Sequence, residues 1–245
     1  MTNKCLLFLL MMFITQVIYA NKIVADSTTL VVKKTADFNV NGEGTAAAWA
    51  TTSWVAVTVQ ESASGKSMTT QAKVLYSDRG LYFLFVCHDE KLTTTLTKDN
   101  VSLWKEDVVE VFLWPDQSMP IYFEYEISPM NFELPLLIPN FKGRAFGWSP
   151  WHYDGDRKTK RATSAQGGEK KSNATVKSWT AEFFIPFRLL GPLLPEQPKP
   201  GTKWRANLYR IDYDHGFTAY AWQHTSMVGG SNFHEYERFG TFLFE

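Results

Sequence analysis

Three glutamates stand inside two neighbouring apolar stretches. Glu110 lies in Asp107–Leu113 (DVVEVFL), and Glu124 and Glu126 lie in Ile121–Ser128 (IYFEYEIS). The β-branched and aromatic residues around them favour strands, and side chains along a strand alternate between its two faces. Val109, Val111 and Leu113 then share one face of the first strand, leaving Val108, Glu110 and Phe112 on the other. In the second, Phe123, Tyr125 and Ile127 point one way while Tyr122, Glu124 and Glu126 point the other. A turn at Asp116-Gln117-Ser118 makes the two strands antiparallel neighbours with carboxylates on a common surface. A charge among apolar neighbours must be solvated, paired or used, because burying it alone is costly. Paired carboxyls can hydrolyse a glycosidic bond. Alternatively, the acids form a polar face paired with Arg205 or Arg210, or they hold sugar hydroxyls without breaking a bond. The last use fits best, because Glu124 and Glu126, two apart on one strand, stand side by side rather than across a scissile bond.

A late strand, Lys203–Asp212 (KWRANLYRID), offers complementary groups. With Ala206 and Leu208 facing the core, Arg205, Asn207 and Tyr209 face the surface that carries the glutamates. Guanidinium, amide and phenol suit sugar hydroxyls, and bidentate contacts fix orientation. Trp104, between Ser102 and Lys105, lies at the mouth of the first strand, in a stretch (Ser102–Pro115) that reads as one wall of a cleft. Trp222, on the alternating strand Thr218–Gln223, could serve core or cleft equally. Trp148 and Trp151 could extend the cleft or cap a sandwich edge, with capping the favoured reading, and Trp49 and Trp54 are expected to plug the core. No nucleophile elbow, zincin or phosphate-binding motif is present, and the five histidines show no zinc spacing.

The elements that position these residues read as short strands between turns: Thr29–Lys34, Gln71–Tyr76, Leu81–His88, the two glutamate strands, Ala174–Ile185, Lys203–Asp212, Thr218–Gln223 and Phe239–Phe244. Ser77-Asp78-Arg79-Gly80 makes a hairpin loop in which Gly80 is free to take positive φ. Phe141–Thr175 reads as a long irregular excursion with a mobile charged part around Arg157–Lys171. This pattern predicts an all-β fold, an antiparallel β-sandwich of the jelly-roll or immunoglobulin-like kind. Equal numbers of acidic and basic residues, 25 each, argue against nucleic acid as a partner.

Residues 1–20 read as a signal peptide, with Lys4, an apolar run from Cys5 to Ile18, and Ala20 at the cleavage site. The run is too short for a comfortable membrane span, so residues 21–245 are expected as one secreted or periplasmic domain, a monomer with no membrane span. Cleavage leaves Cys87 alone, in LYFLFVCHD, where a buried thiol is expected.

The order and spacing of LWKEDVVEVF, WRANLYRID, FHEYERFGTFLF, the AKVLYSDRGLYFLF hairpin and WTAEFFIPF resemble the family 9 carbohydrate-binding modules, within a family 9-like group of secreted bacterial proteins that share the DOMON-type β-sandwich. The resemblance implies two aromatic rings clamping a sugar ring. One belongs to a W-x-x-D-x-x-E-x-F run, here Trp104, Asp107, Glu110 and Phe112; the other falls six residues before Phe239-Gly240, at Phe233, a phenyl in place of the family's indole. The family's acidic hydrogen-bonding residue falls at Glu110, its asparagine at Asn207 and its glutamine at Tyr209. Its arginine falls at Glu124, a reversal of charge that bears on which sugar is bound. The resemblance also implies structural calcium, with no ligands assigned, and no cofactor required for binding.

The expected function is therefore non-catalytic binding of a mono-, oligo- or polysaccharide in support of polysaccharide breakdown. The binding set is Trp104, Phe233, Glu110, Glu124, Glu126, Arg205, Asn207, Tyr209 and Trp222. Two rivals stand beside it. One is a haem-binding electron carrier with axial ligands among Met130, Met227 and His234; the other is a glycoside hydrolase acting through Glu110 and Glu124.

Overall fold

The structure, a computed structural model, describes residues 28–142, 144–226 and 232–245. The leader expected at residues 1–20 lies outside them, as does Met227. The strands in chain order are β1 (Thr29–Lys34), β2 (Val55–Ala56), β3 (Thr58–Ser62), β4 (Thr70–Tyr76), β5 (Gly80–His88), β6 (Val108–Trp114), β7 (Ile121–Ile127), β8 (Glu133–Phe141), β9 (Arg144–Ala145), β10 (Ser149–Pro150), β11 (Lys160–Gln166), β12 (Ser178–Pro186), β13 (Lys203–Asp212), β14 (Thr218–Ala221) and β15 (Gly240–Phe244). No helix among the described residues is long and apolar enough to cross a membrane.

These strands form the two layers of a β-sandwich. One runs β10-β8-β7-β6-β13-β15, with β14 and β3 on a side branch; the other runs β4-β5-β12-β11. β1 joins them, pairing with β15 through Thr29–Val32 and then with β4 through Lys33 and Lys34. Both β1 pairings are parallel, so the sheet is mixed, while the pairings around the candidate cleft are antiparallel.

The core lies between the layers. Val109, Val111 and Leu113 of β6, Phe123, Tyr125 and Ile127 of β7, and Ala206 and Leu208 of β13 meet Phe83, Phe85 and Cys87 of β5 and Trp179, Ala181, Phe183 and Ile185 of β12. The Tyr125 and Phe183 rings bridge the layers at 4.9 Å between centroids. Cys87 is fully buried, and burial pushes its thiol up to about 12, which keeps it protonated. Trp49 is a core plug, its indole N–H donating to Glu182 at 2.7 Å, whereas Trp54 is largely exposed.

Two expectations about local structure change. Gly80 does not have positive φ. A Cβ there would come within 2.3 Å of the Ile185 carbonyl oxygen, so the glycine serves the close approach of β5 to β12. The charged segment within 157–171 is not a loop throughout: β11 pairs with β12 along its whole length, from Lys160↔Phe184 to Gln166↔Ser178. Arg161 anchors it through ion pairs to Asp99, at 2.9 Å, and to buried Glu133. β8 was not legible as a strand because Pro135 and Pro139 interrupt it. It tolerates them beside the sheet edge, where only the two-residue β10 and β9 flank it.

Candidate functional site

The outer face of the first layer is also apolar, and a second cluster covers it. Phe112, Tyr122, Leu134, Leu136, Ile138, Tyr209 and Ile211 on the strands pack against Leu103, Phe233, Tyr236 and Phe239 from the segments before β6 and before β15. β6 and β7 are therefore buried on both faces, and their glutamates lie beneath a lid of loops. Register places the acids in rows. Tyr209 pairs with Glu110 and Glu110 with Glu126; Asn207 pairs with Phe112 and Phe112 with Glu124.

A cavity of about 350 Å³ opens in this face, lined by Trp104, Glu110, Glu124, Leu136, Trp148, Ile211, Tyr213, Phe217, Asn232, Phe233 and His234. That is within the usual size of a small-ligand pocket. Trp104 sits on a single 3₁₀ turn, Leu103–Lys105, and is half-buried. Phe233 comes from a loop 129 residues later in the numbering and lies on the Tyr209 ring, centroids 4.1 Å apart. Trp148 stands edge-on to Trp104 at 5.5 Å and is 50% exposed. It extends the cleft wall instead of capping an edge. Trp151 does cap, donating from its indole to the Leu189 carbonyl at 3.0 Å.

The floor is acidic. Glu110, Glu124 and Glu126 are all buried. Burial raises Glu110 well above the usual carboxylate range, and the nearby Glu124 charge adds to it. Burial pushes Glu124 up, to about 7, with Glu126 hydrogen bonding in partial opposition. Glu126 is raised by burial and then by the Glu110 and Glu124 charges; the Trp104 backbone amide pulls against them. Glu126 lies under the floor, outside the lining. His234 approaches Glu124 to 3.9 Å and is in hydrogen-bond contact with the Tyr122 hydroxyl at 2.7 Å. Desolvation holds His234 down, to about 4, so it is neutral at ordinary pH.

The remaining expected contacts fall elsewhere. Asn207 shares the glutamates' face, but its four hydrogen-bonding positions are spent internally. Its amide donates to the Tyr209 hydroxyl and the Gln223 carbonyl, and its oxygen accepts from the Leu208 and Gln223 amides. The Tyr209 hydroxyl in turn donates to the Phe233 carbonyl, which makes Tyr209 a support for the cleft. Arg205 lies outside the lining, and its guanidinium donates to the Glu237 carbonyl at 2.9 Å. Trp222 packs into the sandwich core against Phe242 and over Gly240. Neither arginine pairs with the glutamates. Arg210 faces the interior, bound to Asp89 at 2.9 Å and Asp212 at 2.8 Å. Sequence reasoning missed Tyr213, Phe217, Leu136 and Asn232 as lining residues. The first two follow β13 in YDHGF, an aromatic-polar turn that carries no distinctive sequence signal.

The rival chemistries meet the same geometry. Glu110 and Glu124 are diagonal neighbours on adjacent strands of one wall, and no third acid faces them across the cleft among the lining residues. A glycosidase needs carboxyls flanking the bond it breaks. Of the haem candidates, His234 lines the cleft and Met130 does not, while Met227 lies outside the described residues.

A second acidic group lies at the end of β13. Ligand oxygens of Asp89, Asp107 and Asp214 lie within 4.8 Å of one another. Asp212 adds a fourth carboxylate nearby, and Arg210 is their one ion-paired cation among the described residues. Burial raises Asp89, to about 9, and the neighbouring acids add to the shift against the pull of Arg210. An all-oxygen set with excess negative charge fits a hard divalent cation such as calcium. Asp107 also accepts from the Thr93 and Tyr213 amides, and the Tyr213 hydroxyl donates to the Trp104 carbonyl. An ion at the aspartates would thus brace the turn that carries Trp104.

Comparison with known proteins agrees with this architecture. No curated protein matches the sequence. A protein of Bacteroides uniformis to which carbohydrate binding has been ascribed superposes with a TM-score of 0.73 at 16% identity, covering 89% of this chain and 99% of the other. A family 9 carbohydrate-binding module from Caldicellulosiruptor kristjanssonii gives TM-scores of 0.60 at 15% identity, both in complex with cellotriose and in complex with glucose. These pairs cover 89% of this chain and 93% and 95% of the module. Residues 40–245 match the family described as carbohydrate family 9 binding domain-like, and the chain belongs to that family.

Proposed function

We propose that this protein binds carbohydrate without cleaving it. A sugar ring lies in the cleft with its C–H faces against Trp104 and Phe233, and its hydroxyls meet Glu110 and Glu124. Asn232 and His234 provide further polar edges, and Glu126 acts from beneath the floor by sharing hydrogen bonding with Glu124. The leader at residues 1–20 would export the chain, where it serves the breakdown of polysaccharide by partner enzymes. The aspartate group would hold a structural calcium ion, whose work is to fix Tyr213 and Trp104.

The observation that carries this reading is the meeting of Trp104 and Phe233 in one cavity floored by acids. The module from C. kristjanssonii, solved with cellotriose and with glucose, supports it by likeness of fold. Titration calorimetry of the protein and of Trp104→Ala against neutral and charged mono- and oligosaccharides tests it. Saturable binding that Trp104→Ala weakens is expected; absence of binding across the panel would overturn the reading.

A further inference from the structure

The floor of the cleft carries three buried acids, which burial holds towards their protonated forms, and no cation among the described residues offsets them. Among the described residues no lysine or arginine pairs with Glu110, Glu124 or Glu126. The single basic neighbour, His234 at 3.9 Å, is held neutral by its surroundings. Glu124 Oε2 is buried and forms no full hydrogen bond among the described residues; its polar neighbours are His234 Nδ1, at 3.9 Å, and the Glu126 carboxyl. Glu110 and Glu124 both open into the cavity. Buried carboxyls left without partners are expensive, and a binding protein retains such a cost where the ligand removes it.

The walls complete the picture. Trp104, Trp148, Tyr213, Phe217 and Phe233 surround the space above the acids. Aromatic faces attract a cation as well as C–H groups. A bare metal ion does not fit: among the described residues only Asp89, Asp107 and Asp214 bring ligand atoms within 4.8 Å of one another, so the three glutamates are too spread to share one ion. A ligand that carries its positive charge on a ring, with hydroxyls reaching a separate carboxyl, fits both the spread and the walls.

We propose that the preferred ligand is an amino sugar with a free, protonated amine, whose ammonium group docks at Glu124 and Glu110. The amine donates to Oε2 of Glu124, which opens into the cavity, and the ring lies between the aromatic walls. This inference rests on the carbohydrate reading, and the experiment is arranged so that the two can fail separately.

The test is calorimetric titration of the whole protein with D-glucosamine, D-glucose, N-acetyl-D-glucosamine and choline at neutral pH. Glucosamine should bind at least about tenfold more tightly than glucose or its acetylated form, the scale of one charge-assisted hydrogen bond. In Glu124→Gln and in Glu110→Gln the ratio of glucosamine to glucose affinity should fall towards one. Melting curves confirm that each variant folds, and two variants guard against the loss of either. Equal or weaker binding of glucosamine than of glucose would overturn the amino-sugar assignment and leave carbohydrate binding intact. Choline binding as tightly as glucosamine would overturn it too, making the cleft a general cation cage. Failure of every sugar to bind would remove both readings.

Discussion

The Phe233 ring rests on the Tyr209 ring with centroids 4.1 Å and planes 12° apart, and the Tyr209 hydroxyl donates to the Phe233 carbonyl at 2.9 Å. One residue of the sheet thus fixes both the ring and the backbone of the loop that closes the cleft. Asn207 continues the chain of contacts, donating to the same hydroxyl at 2.6 Å. Tyr209→Phe keeps the stack and deletes the hydroxyl, leaving the Phe233 carbonyl and an Asn207 donor without a partner in the interior. The expected cost is about 1–3 kcal/mol of stability, the scale of an unsatisfied buried polar group, with sugar affinity reduced several-fold. Chemical denaturation and calorimetry read the two. A variant as stable as the parent, with undiminished affinity, would show that the hydroxyl does not hold the loop.

The two tryptophans of the cleft should differ in weight. Trp104 is half-buried and anchored through its carbonyl by Tyr213, while Trp148 is half-exposed and meets Trp104 edge-on. A stacked aromatic contributes about 1 kcal/mol beyond the area it buries, so Trp104→Ala should weaken binding by at least about tenfold once burial is added. Trp148→Ala should weaken a monosaccharide only two- to threefold and an oligosaccharide more, by roughly the energy of a partial stack. The reverse ranking would place the sugar outside the pocket, on the exposed rim.

Buried acids make stability depend on pH with a definite sign. A glutamate in the unfolded chain titrates near 4.5, while burial raises Glu124, to about 7, and raises Glu110 and Glu126 as well. Below about 4.5 both states keep their protons and the full stability is present. As pH rises through the window from 4.5 to 7, the unfolded chain releases protons that the folded chain retains, and stability falls. His234 works in the opposite direction, because its fall from 6.5 to about 4 adds stability as pH rises between those values. Comparison of the protein with Glu124→Gln separates the terms. The variant's melting temperature should fall less steeply between pH 5 and pH 8, roughly the interval over which linkage acts, and should exceed the parent's at the upper end. Parallel curves would mean that Glu124 is not held protonated by its site.

Much of this was legible in the residues. The glutamate strands and the face they share with Asn207 and Tyr209 followed from alternation, because period-2 patterning fixes which side chains share a surface; the register that pairs Tyr209 with Glu110 comes from the structure. Which of those side chains stay free for a ligand did not follow. Asn207 and Tyr209 lie on the expected face, yet Gln223 and Phe233, from the chain after β14, use their hydrogen bonds. Alternation describes one strand at a time and is silent about what covers it. β8 escaped notice for a related reason: two prolines mask a strand whose place near the sheet edge makes them harmless. Trp222 is sunk against Phe242 while Trp148 meets Trp104 at the cleft, and Trp104 and Phe233 line one cavity from positions 129 residues apart; such tertiary placements lie beyond any local pattern.

The aspartate group yields the last prediction. Asp89, Asp107 and Asp214 converge within 4.8 Å, and Asp107 receives the Tyr213 amide while Tyr213 reaches the Trp104 carbonyl. Burial, with the neighbouring acids adding to it, raises Asp89 and Asp107; a calcium ion there would offset both costs and would tighten the turn beneath Trp104. Binding of a ligand to the folded state alone stabilises it by RT ln(1 + [L]/Kd), or about 2.7 kcal/mol at one hundred times the dissociation constant. Calcium added to chelator-treated protein should therefore raise the melting temperature by several degrees, and Asp214→Asn should abolish most of that rise. Magnesium should act more weakly, since it demands a tighter octahedral shell than a carboxylate group already engaged with backbone amides supplies. Sugar affinity should fall on chelation even well below the melting temperature, because the ion acts on Trp104 through Tyr213. If calcium leaves both melting temperature and affinity unmoved, the aspartates serve only Arg210 and the neighbouring amides, and the Trp104 turn is held by hydrogen bonds alone.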